Sequence, residues 1–193
     1  MSNIIYESSR GKQPIRIEDD FLSRRIIFLT EEVNTETCNE LIQQLLYLDS
    51  VSDEEITLYI NSPGGIVQDG LAVYDTMMLM RSPVRTVCIG TCASMGAIIF
   101  LAGEKREMMK HGKIMIHDPA FGGNCTIAGK KSHEIRIELE DLDKCRESLA
   151  HIIAERTHKN IEEIYKVTVN DAYFTATEAI DFGLATDIIT GGN

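Results

Sequence analysis

A chain of 193 residues, 44% apolar and 25% charged, has the length and composition of a globular protein with one sizeable core. Its formal net charge of −11 excludes nucleic acid or an anionic membrane surface as the natural partner. No apolar run reaches the length of a membrane span, and Met1-Ser2-Asn3-Ile4-Ile5-Tyr6 lacks the basic start and apolar core of a signal peptide, so a cytoplasmic protein is expected. The five cysteines are an odd number without paired metal spacing; Cys38, Cys88, Cys92 and Cys145 fall in predicted elements and read as buried free thiols. The Cys88/Cys92 spacing reads as packing rather than as a redox pair.

In chain order, residues 1–20 are polar and basic at Arg10, Lys12 and Arg16, and read as an N-terminal arm. Arg25-Ile26-Ile27-Phe28-Leu29 predicts a short buried strand. Asn34 or Thr35 caps a helix to about Leu48, with Leu41, Ile42, Leu45 and Leu46 on one stripe. Ile56 to Ile60 predicts a second strand, and Asn61-Ser62-Pro63-Gly64-Gly65 is a turn whose glycines permit positive φ and close backbone approach. A helix follows from about Val67 to Met80, then a strand from Val84 to Ile89, then Ser94 and an apolar helix. Gly103 to Gly112 reads as polar and hairpin-like, Ile114 to His117 as a strand, and Phe121-Gly122-Gly123-Asn124 as a break.

From about 128 to 158 runs one long helical pattern, with Ile135, Leu139, Leu142, Leu149, Ile152 and Ile153 spaced by threes, fours and sevens. Its other face is so rich in Lys, Arg, Glu and Asp that the helix cannot be wholly buried in one small domain; it should project and meet a partner, most economically another copy. Asn160 caps a helix to about Val167, Thr175 or Thr177 starts another through Phe182, and Asp187-Ile188-Ile189 is a closing strand. Strand–helix alternation without a repeat or linker makes the chain α/β, read as a single domain over 1–193.

The chemistry centres on Ser94, where an apolar strand gives way to the first turn of a helix. Free backbone N–H groups and the positive end of a helix dipole gather at such a junction, which suits a nucleophile whose reaction puts negative charge on oxygen. The plainer alternative is that Ser94 is a helix N-cap. If the strands before Pro63-Gly64-Gly65 and Ala93-Ser94-Met95-Gly96 are neighbours, both turns lie on one sheet edge and their N–H groups can face a common oxyanion; otherwise they are two ordinary turns. Neither is a phosphate cradle, since no Gly-Lys-Ser/Thr follows. Of five histidines, His133, His151 and His158 fall on the polar helix and His111 in a Lys-rich turn, leaving His117 at a strand end as candidate base. Adjacent strand residues face opposite ways, so Asp118 is a poor partner for it. Spacing does not choose the acid among Asp75, Asp141, Asp143 and Asp171.

The chain resembles the Clp protease proteolytic subunits, the ClpP family. The matching pieces are Leu58-Tyr59-Ile60-Asn61-Ser62-Pro63-Gly64-Gly65, Tyr74-Asp75-Thr76-Met77, Cys88-Ile89-Gly90, Ala93-Ser94-Met95-Gly96-Ala97, Met115-Ile116-His117, Thr175-Ala176, Glu178-Ala179 and Gly183-Leu184, in family order. The resemblance implies a ClpP/crotonase-like spiral of ββα units with residues 128–158 as a protruding handle helix. It implies Ser94 as nucleophile, His117 as general base and then acid, Asp171 as orienting carboxylate, and Gly65 and Met95 as oxyanion donors. It further implies endopeptidase action on unfolded polypeptides inside a barrel of two stacked seven-membered rings, homomeric or mixed with a second ClpP-type subunit. No cofactor or metal is implied; ATP is used only by a partner AAA+ unfoldase of ClpX or ClpA/ClpC type.

Several positions depart from the family pattern. His117-Asp118-Pro119 stands where His-Gln-Pro is usual, Phe121 to Lys131 is longer, Val169-Asn170 replaces an acidic–arginine pair, and Glu107-Met108-Met109-Lys110 replaces a more aromatic, proline-containing stretch. They keep open a divergent paralogue serving as a structural or weakly active partner in mixed rings. A crotonase-type acyl-CoA enzyme is the other alternative; that reading has no role for a serine nucleophile.

Overall fold

The computed structural model describes residues 3–8, 11–122 and 128–190. The described residues of the stretch read as an arm carry regular structure: β1 (Asn3–Ser8) and β2 (Gly11–Arg16) pair antiparallel, and α1 (Ile17–Ser23) follows. Next come β3 (Ile26–Leu29) and α2 (Thr35–Val51). Asn34 starts α2 with a reciprocal cap: its side chain accepts from the Glu36 and Thr37 N–H groups at 3.0 and 3.1 Å, and Thr37 Oγ1 accepts from the Asn34 N–H at 3.1 Å.

β4 (Ile56–Ser62), α3 (Val67–Leu79), β5 (Val84–Ala93) and α4 (Met95–Leu101) form the next two strand–helix units. β3, β4 and β5 are parallel neighbours. A register shift opposes three residues of β4, Ile60 to Ser62, to five of β5, Cys88 to Cys92, which bends the far end of the pair. Every residue of α4 is buried. Its Ile98, Ile99, Phe100 and Leu101 each contribute about 1.5–3 kcal/mol by leaving water, so this helix is the centre of the core.

β6 (Lys105–Met109) corrects the hairpin expected over Gly103 to Gly112. It lies parallel to β5, from Arg85↔Lys105 to Cys88↔Met108, and parallel to a later strand on its other side. Only Met108 of its five residues is buried, so it shows neither an apolar run nor a clear alternation. β7 (Lys113–Ile116) pairs with the far half of β5, from Thr91↔Lys113 to Ala93↔Met115. The long β5 thus feeds two branches.

The expected long helix is α5 (Ser132–Thr157); Leu149, Ala150, Ile153 and Thr157, its buried residues, all lie near its C-terminal end. The rest of it stands away from the core, with Ile137 and Leu139 about half exposed. The segment read as longer than usual, Phe121 to Lys131, lies outside the described residues over 123–127. After α6 (Ile161–Thr168) comes β8 (Ala172–Thr175), a strand that the sequence pattern does not reveal, antiparallel to β7. α7 (Ala176–Phe182) and β9 (Asp187–Ile189) end the fold, β9 pairing with β6.

Two arginines fasten three helix ends together. Arg156 donates to the Leu101 and Gly103 carbonyls just at and beyond α4, at 2.7 and 2.6 Å. Arg106 donates to Leu184 O at 2.8 Å and to the Gly183 and Arg156 carbonyls at 3.3 Å. Cations there satisfy terminal carbonyls and oppose the negative helix ends; burial beside Arg156 holds the Arg106 pKa below its ordinary value. Replacing Arg156 with Met should cost about 2–3 kcal/mol by leaving shielded carbonyls unpaired. Urea unfolding at fixed protein concentration measures this; no loss would mean that water serves those carbonyls equally well.

Candidate active site

β5 and α4 meet at Ser94, which has φ 53° and ψ −122°. A residue with a Cβ is strained there, as at the first central position of a type II′ turn. Ser94 occupies the N-cap position of α4 but its side chain makes no cap hydrogen bond, so the plainer N-cap reading fails for its hydroxyl. That hydroxyl faces His117 instead, with Oγ 2.9 Å from Nε2. The Ser94 N–H donates to Met115 O at 2.8 Å, which ties the serine to the strand that carries the histidine.

His117 follows the last residue of β7, and Asp171 precedes the first residue of β8. The antiparallel register ends at Ile116↔Ala172, so the next residues across the ladder are His117 and Asp171. Their side chains meet, with Nδ1 3.1 Å from Asp171 Oδ1. These partners assign the tautomer: Nδ1–H donates to the carboxylate, and Nε2 accepts the serine proton. None of Asp75, Asp141 or Asp143 bonds the imidazole; Asp141 pairs with Lys144 on α5 at 3.0 Å. His151 lies 3.9 Å from Glu147 on the exposed face of α5, and His158 ends that helix at φ 57°. The serine–imidazole–carboxylate chain gives an activated nucleophile a base and an orienting acid. An acyl-CoA site of crotonase type has no use for it.

β4 and β5 are neighbours, so both glycine-bearing turns lie on one sheet edge. Gly64 has φ 89°, and a Cβ built on it would sit 2.7 Å from Ser94 Cβ and 2.9 Å from Met95 N. The turn therefore presses on the serine, and only glycine allows it. Gly65 has φ 152°, and a Cβ there would meet Val33 O at 2.1 Å. Val33 brackets the turn: its N–H donates to Gly64 O at 2.8 Å and its carbonyl accepts from the Ile66 N–H at 2.7 Å. Sequence reasoning missed a second support, the fully buried Ser62, whose Oγ donates to Glu31 O at 2.6 Å and accepts from the Gly64 N–H at 3.2 Å. A polar residue at an otherwise inward-facing strand position was its available signal. Among the described residues, the Gly65 and Met95 N–H groups have no hydrogen-bond acceptor.

Beside Ser94 and His117 opens a small pocket lined by Val67, Ile98, Ile116, Pro119, Leu149 and Ile153. Its walls are apolar. Cys38, Cys88 and Cys92 are buried free thiols as expected, whereas Cys145 is only half-buried; Cys125 lies outside the described residues. Complete burial pushes the Cys92 thiol well above its ordinary pKa, so two residues before Ser94 there is no competing thiolate.

The strain at Ser94 predicts that Ser94→Gly stabilises the protein by about 1–3 kcal/mol while removing the hydroxyl. A higher thermal unfolding midpoint at equal protein concentration is the expected result; a lower one would mean that the left-handed backbone costs nothing here.

A family model described as Clp protease matches residues 9–192. The "ATP-dependent Clp protease proteolytic subunit 1" of Prochlorococcus marinus (strain MIT 9312) is 40% identical over 184 residues, covering 94% of this chain and 92% of that protein.

Proposed function

The chain belongs to the Clp protease family, and on that premise we propose that Ser94, His117 and Asp171 are the catalytic residues with which it cleaves peptide bonds. The observation that carries the assignment is the unbroken hydrogen-bond chain of 2.9 and 3.1 Å through the imidazole. Ser94 Oγ attacks the peptide carbonyl carbon as its proton passes to His117 Nε2, and Asp171 stabilises the imidazolium through Nδ1–H. The carbonyl oxygen becomes an oxyanion that accepts hydrogen bonds from the Gly65 and Met95 N–H groups, which no other acceptor engages among the described residues. Collapse expels the amine, which takes the proton from His117. Water, deprotonated by the same imidazole, then hydrolyses the ester and frees Ser94. No metal or cofactor has a part in these steps.

The apolar pocket beside Ser94 suits an apolar side chain on the acyl side of the cut bond. Substrates are unfolded chains delivered by a partner AAA+ ATPase, and ATP is consumed by that partner alone. The exposed outer part of α5, with Ile137 and Leu139 open to water, supports association of the subunits into face-to-face rings, homomeric or mixed. Among the described residues no helix is long and apolar enough to cross a membrane; the free thiols favour a reducing compartment such as the cytoplasm.

The test is peptide hydrolysis by the assembled protein, with its mass followed by light scattering. Asp171→Asn should leave the mass unchanged and lower kcat by about 10³–10⁴-fold, the cost of losing the group that orients the base. Peptides with Leu or Met before the cut should outpace those with Asp or Lys. Full activity of Asp171→Asn would mean that another acid orients His117. Activity of a mixed ring unchanged by Ser94→Ala in this subunit would assign it the structural role instead.

A further inference from the structure

We propose that Asp118 is a positioning residue: its carboxylate holds His117 against Asp171 by clamping the loose end of the β7–β8 ladder to α6 and α5. The proposal rests on the assignment of Ser94, His117 and Asp171 above. Both of the latter stand just beyond the last paired residues, Ile116 and Ala172. The side chains of His117 and Asp171 are 30% and 57% exposed, so packing alone does not fix them, and the end of a two-stranded ladder frays unless something closes it.

Asp118 closes it through its N–H and both carboxylate oxygens. Its N–H donates to Thr168 O at 2.7 Å. Its Oδ1 accepts from the Thr168 hydroxyl at 2.6 Å. Its Oδ2 lies 2.7 Å from Arg146 Nε on α5, and the Arg146 guanidinium in turn lies 4.6 Å over the Tyr165 ring of α6. Thr168 is the last residue of α6, is 2% exposed, and sits three residues before Asp171. One carboxylate therefore ties the residue after the base to the buried anchor before the acid, and ties both to α5. The Asp118 side chain turns to this anchor, while His117 bonds Asp171 and Ser94.

The hydroxyl of Thr168 has a second acceptor, Ile164 O at 3.1 Å. When Asp118 is replaced by Ala, that hydroxyl falls back on its own helix and the backbone bond to Thr168 O remains, so α6 and the fold persist while the side-chain part of the clamp is lost. Asp118→Asn keeps an oxygen for Thr168 and sets an NH2 donor, in place of the charged oxygen, against Arg146.

The experiment compares wild type, Asp118→Ala, Asp118→Asn and Ser94→Ala in steady-state peptide hydrolysis, with mass measured by light scattering. For Asp118→Ala, kcat should fall about 10- to 100-fold, the cost of an ångström-scale misplacement of a catalytic group. KM should stay within about threefold, because Asp118 does not itself line the apolar pocket. Asp118→Asn, which keeps the Thr168 bond and loses the tie to Arg146, should recover part of the lost kcat at an unchanged mass. Wild-type kcat in Asp118→Ala, equal loss in both Asp118 variants, or a mass that falls with kcat would each overturn the proposal, the last by showing a role in assembly alone. Ser94→Ala separates the two readings: if it is fully active the assigned nucleophile is wrong, and if it is inactive while Asp118→Ala equals wild type only the clamp is wrong.

Discussion

The left-handed backbone of Ser94 is held from several directions at once. Met115 O takes its N–H, Gly64 presses on its Cβ, and the helix that begins at Met95 is buried through its whole length. A strained residue persists only where its surroundings over-determine it. Here the same contacts deliver the chemistry. The bond to Met115 brings in the strand that bears His117, and the press of Gly64 brings the Gly65 amide to the edge where the Met95 amide lies. Strain and site share one cause.

The strand–serine–helix junction, the glycine turn at 61–65 and the helix caps at Asn34, Asn160 and Thr175 are legible in the sequence, because each is decided by local rules within a few residues. The identity of the proposed acid is not local. Asp171 lies 54 positions from His117, and only the β7–β8 register brings them together; by spacing alone, four aspartates stand equal, and it is the family resemblance that singles out Asp171. β8 itself is four residues of alternating half-burial, too short to give a period. β6 misleads for a related reason: flanked by Gly103 and Gly112, with one buried residue, it looks locally like a turn, and its place between β5 and β9 is fixed by pairing across the sheet.

The departures from the family pattern take on different weights. Asp118 is hydrogen-bonded by Thr168 and ion-paired with Arg146, so the change from the usual residue comes with partners suited to a carboxylate. Glu107, in the stretch that replaces a more aromatic one, forms an ion pair with Arg85 across β5 and β6. Val169, in the place of a charged residue, is 60% exposed two residues before Asp171, an apolar side chain left to water or to a neighbouring subunit. The geometry around Ser94 is intact, and the novelty lies in what surrounds it.

The central claim is that the Ser94 hydroxyl is the nucleophile, activated by His117. A fluorophosphonate reacts with such a serine and not with an ordinary hydroxyl, so the assembled protein should gain one adduct per chain, mapped by peptide mass to Ser94. An adduct on any other residue, or none, would contradict the account.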